Sequence, residues 1–229
     1  MFNFDERRAG PVVHGPRCAA VDCLAANDDT LQFGIEFYDG RNCAAADCQA
    51  CDLWKKGTQT VFGEGSRRST VLFVGEQPGN EEDLTGKPFV GPAGKLFDNA
   101  LEDAGLDRKQ TYVTNVVKHF KWEPRGKRRI HKKPNAVEIA ACRPWLEAEI
   151  ALVKPEVIVA LGATAAQALL GPQFRVTKQR GQFIESTLAP YVMATVHPSS
   201  ILRAPDDETR RLEYRRFVDD LKKLARVIK

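Results

Sequence analysis

No uncharged apolar run in the sequence approaches the roughly 20 residues that a bilayer-spanning helix needs. The opening MFNFDERRAG mixes acidic and basic residues where a signal peptide would be cationic and then apolar. These two absences make a cytoplasmic protein with no membrane partner the expectation. There is no internal repeat, no G-x-G-x-x-G fingerprint and no Walker A sequence, which weakens dinucleotide and nucleoside triphosphate readings. Aromatic content is ordinary and the net charge is only +4, so neither bulk property names a partner. Six cysteines in a chain of this expected compartment rarely mean disulfides, so their spacing matters more than their number.

Length allows one globular domain with a full core and short extensions. Residues 1–42 hold no sustained periodicity and carry Gly10, Pro11, Gly15, Pro16 and Asn27-Asp28-Asp29. They read as an extension that covers a domain running over 43–229. Charge is unevenly spread: residues 125–133, RGKRRIHKK, place six cations and His131 in nine positions. Such a cluster suits a polyanion, and it equally suits a solvated loop or a localisation signal.

From residue 70 the pattern is regular. Residues 70–74 (TVLFV) read as a buried strand, followed by a long loop rich in Gly and Pro over 75–91. Pro92 opens a helix whose face carries Leu96, Phe97, Ala100, Leu101 and Ala104, with Gly105 as its stop. A strand over 111–117 leads into the basic loop. A second helix runs from Pro134 to about Leu152, burying Val137, Ala140, Ala141, Trp145 and Ile150. Strand 157–161, helix 163–170, an edge excursion near 174–184, strand 191–196 and a closing helix over 207–228 complete the chain. Alternating strands and helices predict an α/β fold: a mostly parallel sheet covered on both faces. Ligands bind outside the carboxyl ends of such strands, which selects loops 75–91, 115–134 and 197–200.

Those loops hold the unusual residues. Glu76 and Gln77 stand at the first strand end beside Gly75, and Phe89 sits between Pro88 and Val90. Phe89 offers a face on which a base could stack, though a phenylalanine there more often covers the sheet. Cys48 and Cys51 form a C-x2-C pair able to hold zinc, a cluster or a redox disulfide. The next donors, His119 and Cys142, are too distant for a compact zinc ribbon, and this spacing suits a cluster stapling an N-terminal segment to the domain. Taken singly, His119, His131 and His197 are each ambiguous, and Cys142 alone reads as an inert buried thiol.

In combination the ambiguity narrows. GEQPG (75–79), PFVGPAG (88–94), TNVVK (114–118), ACRPWL (141–146) and HPSS (197–200) resemble family-4-type uracil-DNA glycosylases. KRRIH (127–131) with KHF (118–120) is similar, more narrowly, to the UdgX group, which becomes covalently attached to the DNA it acts on. The resemblance runs from about Cys48 to Leu221. It implies a three-layer α/β/α fold around a four-stranded, mostly parallel sheet. It also implies a structural [4Fe-4S] cluster on Cys48, Cys51, His119 and Cys142, the histidine being a mark of the narrower group.

By the same resemblance, Phe89 stacks on extruded uracil, Asn115 reads its edge beside Gly75, and His197 stabilises the departing base. Glu76 and Gln77 lie beside the sugar, and Asn80 stands where an acidic residue is common. Lys127, Arg128, Arg129 and Lys132, with Ser199 and Ser200, meet the DNA backbone. His131 is the expected nucleophile at C1′, oriented by Glu76 and kept neutral by the surrounding cations. The implied partner is uracil-containing DNA, single-stranded by preference, met by a monomer. The neighbouring expectations are a multiple-turnover glycosylase and a non-enzymatic, metal-containing DNA-binding module.

Overall fold

The computed structural model describes residues 30–32 and 48–228. Its strands are β1 (Thr30–Gln32), β2 (Glu64–Ser66), β3 (Val71–Gly75), β4 (Thr111–Asn115), β5 (Trp122–Arg125), β6 (Arg128–His131), β7 (Val157–Leu161), β8 (Phe183–Ile184) and β9 (Tyr191–Thr195). Its helices are α1 (Asn80–Thr85), α2 (Pro92–Asp103), α3 (Ala136–Val153), α4 (Ala163–Leu170), α5 (Val176–Gln179), α6 (Pro198–Leu202) and α7 (Asp207–Lys222).

Four strands, in the order β4-β3-β7-β9, pair in parallel and form the centre of the sheet. Antiparallel β2 and β1 extend one edge and β8 the other, so the sheet has seven strands among the described residues. The expected four-stranded sheet is therefore the parallel core of a wider one. Strand β8 falls in the edge excursion expected near 174–184, whereas β1 and β2 escaped the sequence reading because three-residue strands carry no measurable alternation.

Each central strand is buried on both faces, and its side chains alternate between two cores. Leu72, Val74, Ile158, Ala160, Val192 and Ala194 pack towards α3 and α4. Val71, Phe73, Val157, Val159 and Met193 pack towards α2 and α7, where Phe97, Leu101, Phe217 and Leu221 are fully enclosed. Each such side chain contributes about 1.5–3 kcal/mol by leaving water. Layers of helix, sheet and helix follow directly.

Two expectations shift. The 75–91 loop contains helix α1, whose first turn carries Glu81, Glu82 and Asp83 against the positive end of the helix dipole and which stops at left-handed Gly86. Helix α3 starts one position after Asn135, which closes a capping box with Glu138 and contributes about 1 kcal/mol to holding that end. Its buried face is Glu138, Cys142, Trp145, Glu149 and Val153, so Val137 and Ala140 lie exposed rather than buried. Two inward-facing glutamates displaced the apolar register that the sequence suggested.

Candidate active site

The carboxyl ends of β3, β4, β7 and β9 open into one cleft of about 1040 Å³, joined by His131 from the hairpin β5–β6. That volume is ample for an extruded nucleotide, which would meet an apolar wall carrying a few polar groups.

Phe89 and Asn115 form the floor. Phe89 holds a left-handed backbone, φ 58°, which is unusual for an aromatic residue and marks a conformation imposed by its surroundings. Two glycines permit it. A Cβ on Gly94 would lie 1.6 Å from the Phe89 carbonyl oxygen, and a Cβ on Gly75 would lie 2.9 Å from the ring. The Glu82 carboxylate accepts the Gly91 N–H at 3.0 Å and holds this loop from α1. Asn115 is buried, and its Oδ1 packs so closely over Gly75 that a Cβ there would sit 2.3 Å away. Among the described residues its side-chain amide has no protein partner, so both ends of the amide remain for a ligand.

His197 caps α6, and its Nδ1 accepts the Ser199 N–H at 3.1 Å. The proton of the neutral ring is thereby assigned to Nε2. Burial, then Arg203 and His131, hold its pKa down to about 4, so it is a neutral donor at physiological pH. Ser199 and Ser200 line the cleft but turn their hydroxyls inward, to His197 Nδ1 at 2.8 Å and to the His197 carbonyl at 2.7 Å. They shape the loop.

His131 is half-exposed, with Nε2 3.3 Å from Glu76 Oε1. The other Glu76 oxygen accepts a hydrogen bond from the Thr164 hydroxyl, at the start of α4. Burial lowers the His131 pKa below the ordinary histidine value, Glu76 opposes this, and Arg203 lowers it further. The cations of its own loop are not the cause, which corrects the sequence expectation. Thr164 and Arg203 escaped that reading; the only signals were the Gly162 stop after a strand and the arginine closing residues 197–203.

The basic segment is a hairpin, with Trp122 opposite His131. Gln77 closes its neck: its Nε2 donates to the carbonyls of Lys121 (3.2 Å) and Lys132 (3.1 Å), and its Oε1 accepts the Lys121 N–H. The amide is thus committed to the backbone rather than free beside a sugar. Arg129 is also committed, not free for phosphate. Its Nη1 pairs with buried Asp83 at 2.6 Å, its Nε donates to Asn80 Oδ1 at 2.7 Å, and its plane lies 5.4 Å from both Phe120 and Trp122. Asn80 consequently serves the hairpin. Lys127 and Arg128 are exposed at the turn, and Lys132 pairs with Glu123 at 2.8 Å.

A second set of donors lies between α3 and the segment after β4. The Cys48 sulfur accepts the Trp145 indole N–H at 3.3 Å, and Cys142 accepts the Lys118 N–H at 3.5 Å. A hydrogen bond between Cys51 and Cys142 lowers the Cys51 pKa to about 7 and raises that of Cys142, as burial also does. His119 is buried against Thr60 (3.2 Å), and burial lowers its pKa. Among the described residues no three such side chains converge as ligands of one metal ion would. Cluster ligands bind separate irons and stand further apart, and N–H groups aimed at thiolate sulfurs are a feature of such sites. The donor chemistry fits an iron–sulfur group. Cys18, Cys23 and Cys43 lie outside the described residues.

The uracil DNA glycosylase superfamily profile matches residues 62–222, a span that includes the cleft and its four strand ends. The chain belongs to the uracil-DNA glycosylase superfamily. Among similar members, a type-4 uracil-DNA glycosylase of Thermotoga maritima is 41% identical over 80% of this chain and 90% of that protein. A type-4 enzyme of Sulfurisphaera tokodaii is 37% identical over 69% of this chain and 73% of its own. A type-5 uracil-DNA glycosylase of Thermus thermophilus is 30% identical over 73% and 80%. In this member of the superfamily, the hairpin β5–β6 presents His131 to Glu76 at the strand-end cleft.

Proposed function

We propose that this glycosylase excises uracil from DNA, with single strands favoured, and ends bonded to the sugar through His131. The observation that carries the proposal is the His131–Glu76 contact at 3.3 Å, in the cleft that also holds Phe89, Asn115 and His197.

Uracil extruded onto Phe89 presents N3–H and a carbonyl to the Asn115 amide, a pairing that cytosine does not reproduce. As the C1′–N1 bond breaks, its electron pair leaves on the base. The neutral His197 Nε2–H donates to the uracil oxygen where that charge develops. The sugar becomes oxocarbenium-like, and the Glu76 carboxylate stabilises it. Imidazole then attacks C1′ through the nitrogen that does not face Glu76, and the Nε2 proton passes to Glu76. The balance is one C–N bond broken and one formed, with a uracil anion, a protonated Glu76 and a neutral alkylated imidazole. Gln77 holds the hairpin for this attack, while Lys127, Arg128 and Lys132 meet phosphate. Cys48, Cys51, His119 and Cys142 would hold a [4Fe-4S] cluster, which orders the surrounding loops and supplies no chemical step.

Mixing the protein with a uracil-containing single strand should give a complex that survives heating and detergent on a denaturing gel. His131→Ser should lose that band and release uracil over many turnovers. A wild-type protein that accumulates free abasic DNA without a shifted band would be a conventional multiple-turnover glycosylase, and would falsify capture.

A further inference from the structure

Beneath the cleft lies a fully buried ion pair that takes no part in the chemistry above. Lys118 Nζ is 2.5 Å from Glu149 Oε2, and both side chains are 1% exposed. Burying two charges is costly, and an apolar pair of similar volume is often as stable or more so. A stability role alone therefore does not account for the pair.

The ammonium's other bonds point to a purpose. It donates to the Thr114 hydroxyl at 2.7 Å and to the Asn115 carbonyl at 2.6 Å, so all three of its protons are placed. Asn115 is the last residue of β4, and its carbonyl faces the point where the chain leaves the sheet. Glu149 in turn accepts the Gly63 N–H (2.8 Å), the Tyr112 hydroxyl (3.2 Å) and the Thr114 hydroxyl. The carboxylate is itself held by β4 and by the segment before β2. Meanwhile the Lys118 backbone accepts Val61 N–H at 2.8 Å and donates to Cys142. One residue thus ties the strand end that carries Asn115 to the thiol-bearing helix.

We infer that Lys118, charge-balanced by Glu149, is a positioning residue for base recognition: its ammonium fixes the Asn115 peptide so that the unpartnered side-chain amide keeps its aim into the cleft. This rests on reading Asn115 as the group that meets the uracil edge. A hydrogen bond to a flexible amide is worth little when the amide must first be ordered, and a small misplacement in a site costs far more than the contact removed.

The test compares two changes in the same network. In Lys118→Met/Glu149→Gln both charges are removed together, so no lone ion is left buried and the protein stays foldable. Tyr112→Phe removes a Glu149 hydrogen bond and leaves the Lys118–Asn115 contact intact. Thermal melting, uracil release from single-stranded DNA and inhibition of that release by free uracil are measured for each. The double variant should be inhibited at least tenfold more weakly by free uracil, and kcat/KM should fall on the order of 10²-fold. Tyr112→Phe should melt earlier while keeping the wild-type inhibition constant. A folded double variant with wild-type inhibition overturns the positioning role, and so does a Tyr112→Phe variant that loses uracil affinity to the same degree. If wild-type protein releases no uracil at all, the proposed activity fails instead, and that result is distinct from either.

Discussion

His131 and His197 face the same cleft, but their ring nitrogens are committed differently. His197 accepts a backbone N–H on Nδ1, which leaves only a donor for the ligand. His131 turns Nε2 towards Glu76 at 3.3 Å, and the proposed attack uses the lone pair of its other ring nitrogen. In the proposed reaction one histidine is the electrophile for the leaving base and the other the nucleophile for the sugar, and both roles require the neutral ring. Smaller still is the part played by Gly75, whose missing side chain is occupied by Asn115 Oδ1 and the Phe89 ring. Gly75→Ala places a methyl group where the amide oxygen lies. Uracil release should fall on the order of 10²-fold, because base and amide are displaced by about an ångström. The fold should survive, since the collision is with movable side chains at a cleft, and circular dichroism alongside the release assay would separate the two effects. Wild-type activity in Gly75→Ala would mean that the floor is not where the base sits.

At the scale of elements, the hairpin β5–β6 is held by Arg129, which occupies the same face of β6 as His131 two residues on. Arg129→Met leaves Asp83, fully buried, without its cation, and breaking such a pair costs about 3–5 kcal/mol. Melting should move down accordingly. The yield of covalent complex should fall more than the rate of uracil release, since the sheet-end groups are untouched; equal losses in both would mean that the hairpin serves release as well. This element was hard to read in advance. Pro124 stands in β5, and β6 reads RRIH, with no apolar alternation. Its strands are specified by side-chain stacking and by Gln77, which are long-range facts. Strand β7 and helix α4 were legible to the residue, because VIVAL bounded by Gly162 leaves few alternatives. Helix α3 was located and Trp145 and Ile150 are buried as expected, but Val137 and Ala140 turn outward, since Glu138 and Glu149 face inward against lysines that only the fold brings near. That Glu76, Phe89, Asn115, His131 and His197 meet in one cleft was legible through ordered motifs. The supporting roles of Gln77, Asn80 and Arg129 were not, because each depends on the hairpin's place.

For the whole molecule, depressed histidine pKa values link stability to pH. An unfolded histidine titrates near 6.5, whereas His197 in the folded chain titrates at about 4. Between those values the unfolded state binds more protons, so this contribution is complete above 6.5 and is lost progressively as pH falls towards 4. His131 is shifted in the same direction. The melting temperature should therefore drop between pH 7 and pH 5, and His197→Asn should show a shallower drop. A wild-type melting temperature that does not change over this range would mean that His197 is already solvated and free to charge.

The hairpin starts after Lys121 and ends before Lys132, and the carbonyls at those two points are hydrogen-bonded to the same Gln77 amide. The hairpin is therefore a closed excursion: its two ends meet at one side chain, and the central strands do not rely on its length. The proposed capture of the sugar is in that sense carried by a part attached to the scaffold rather than by the scaffold itself. A chain with the same sheet and a shorter connection would keep its grip on the base and let the sugar go.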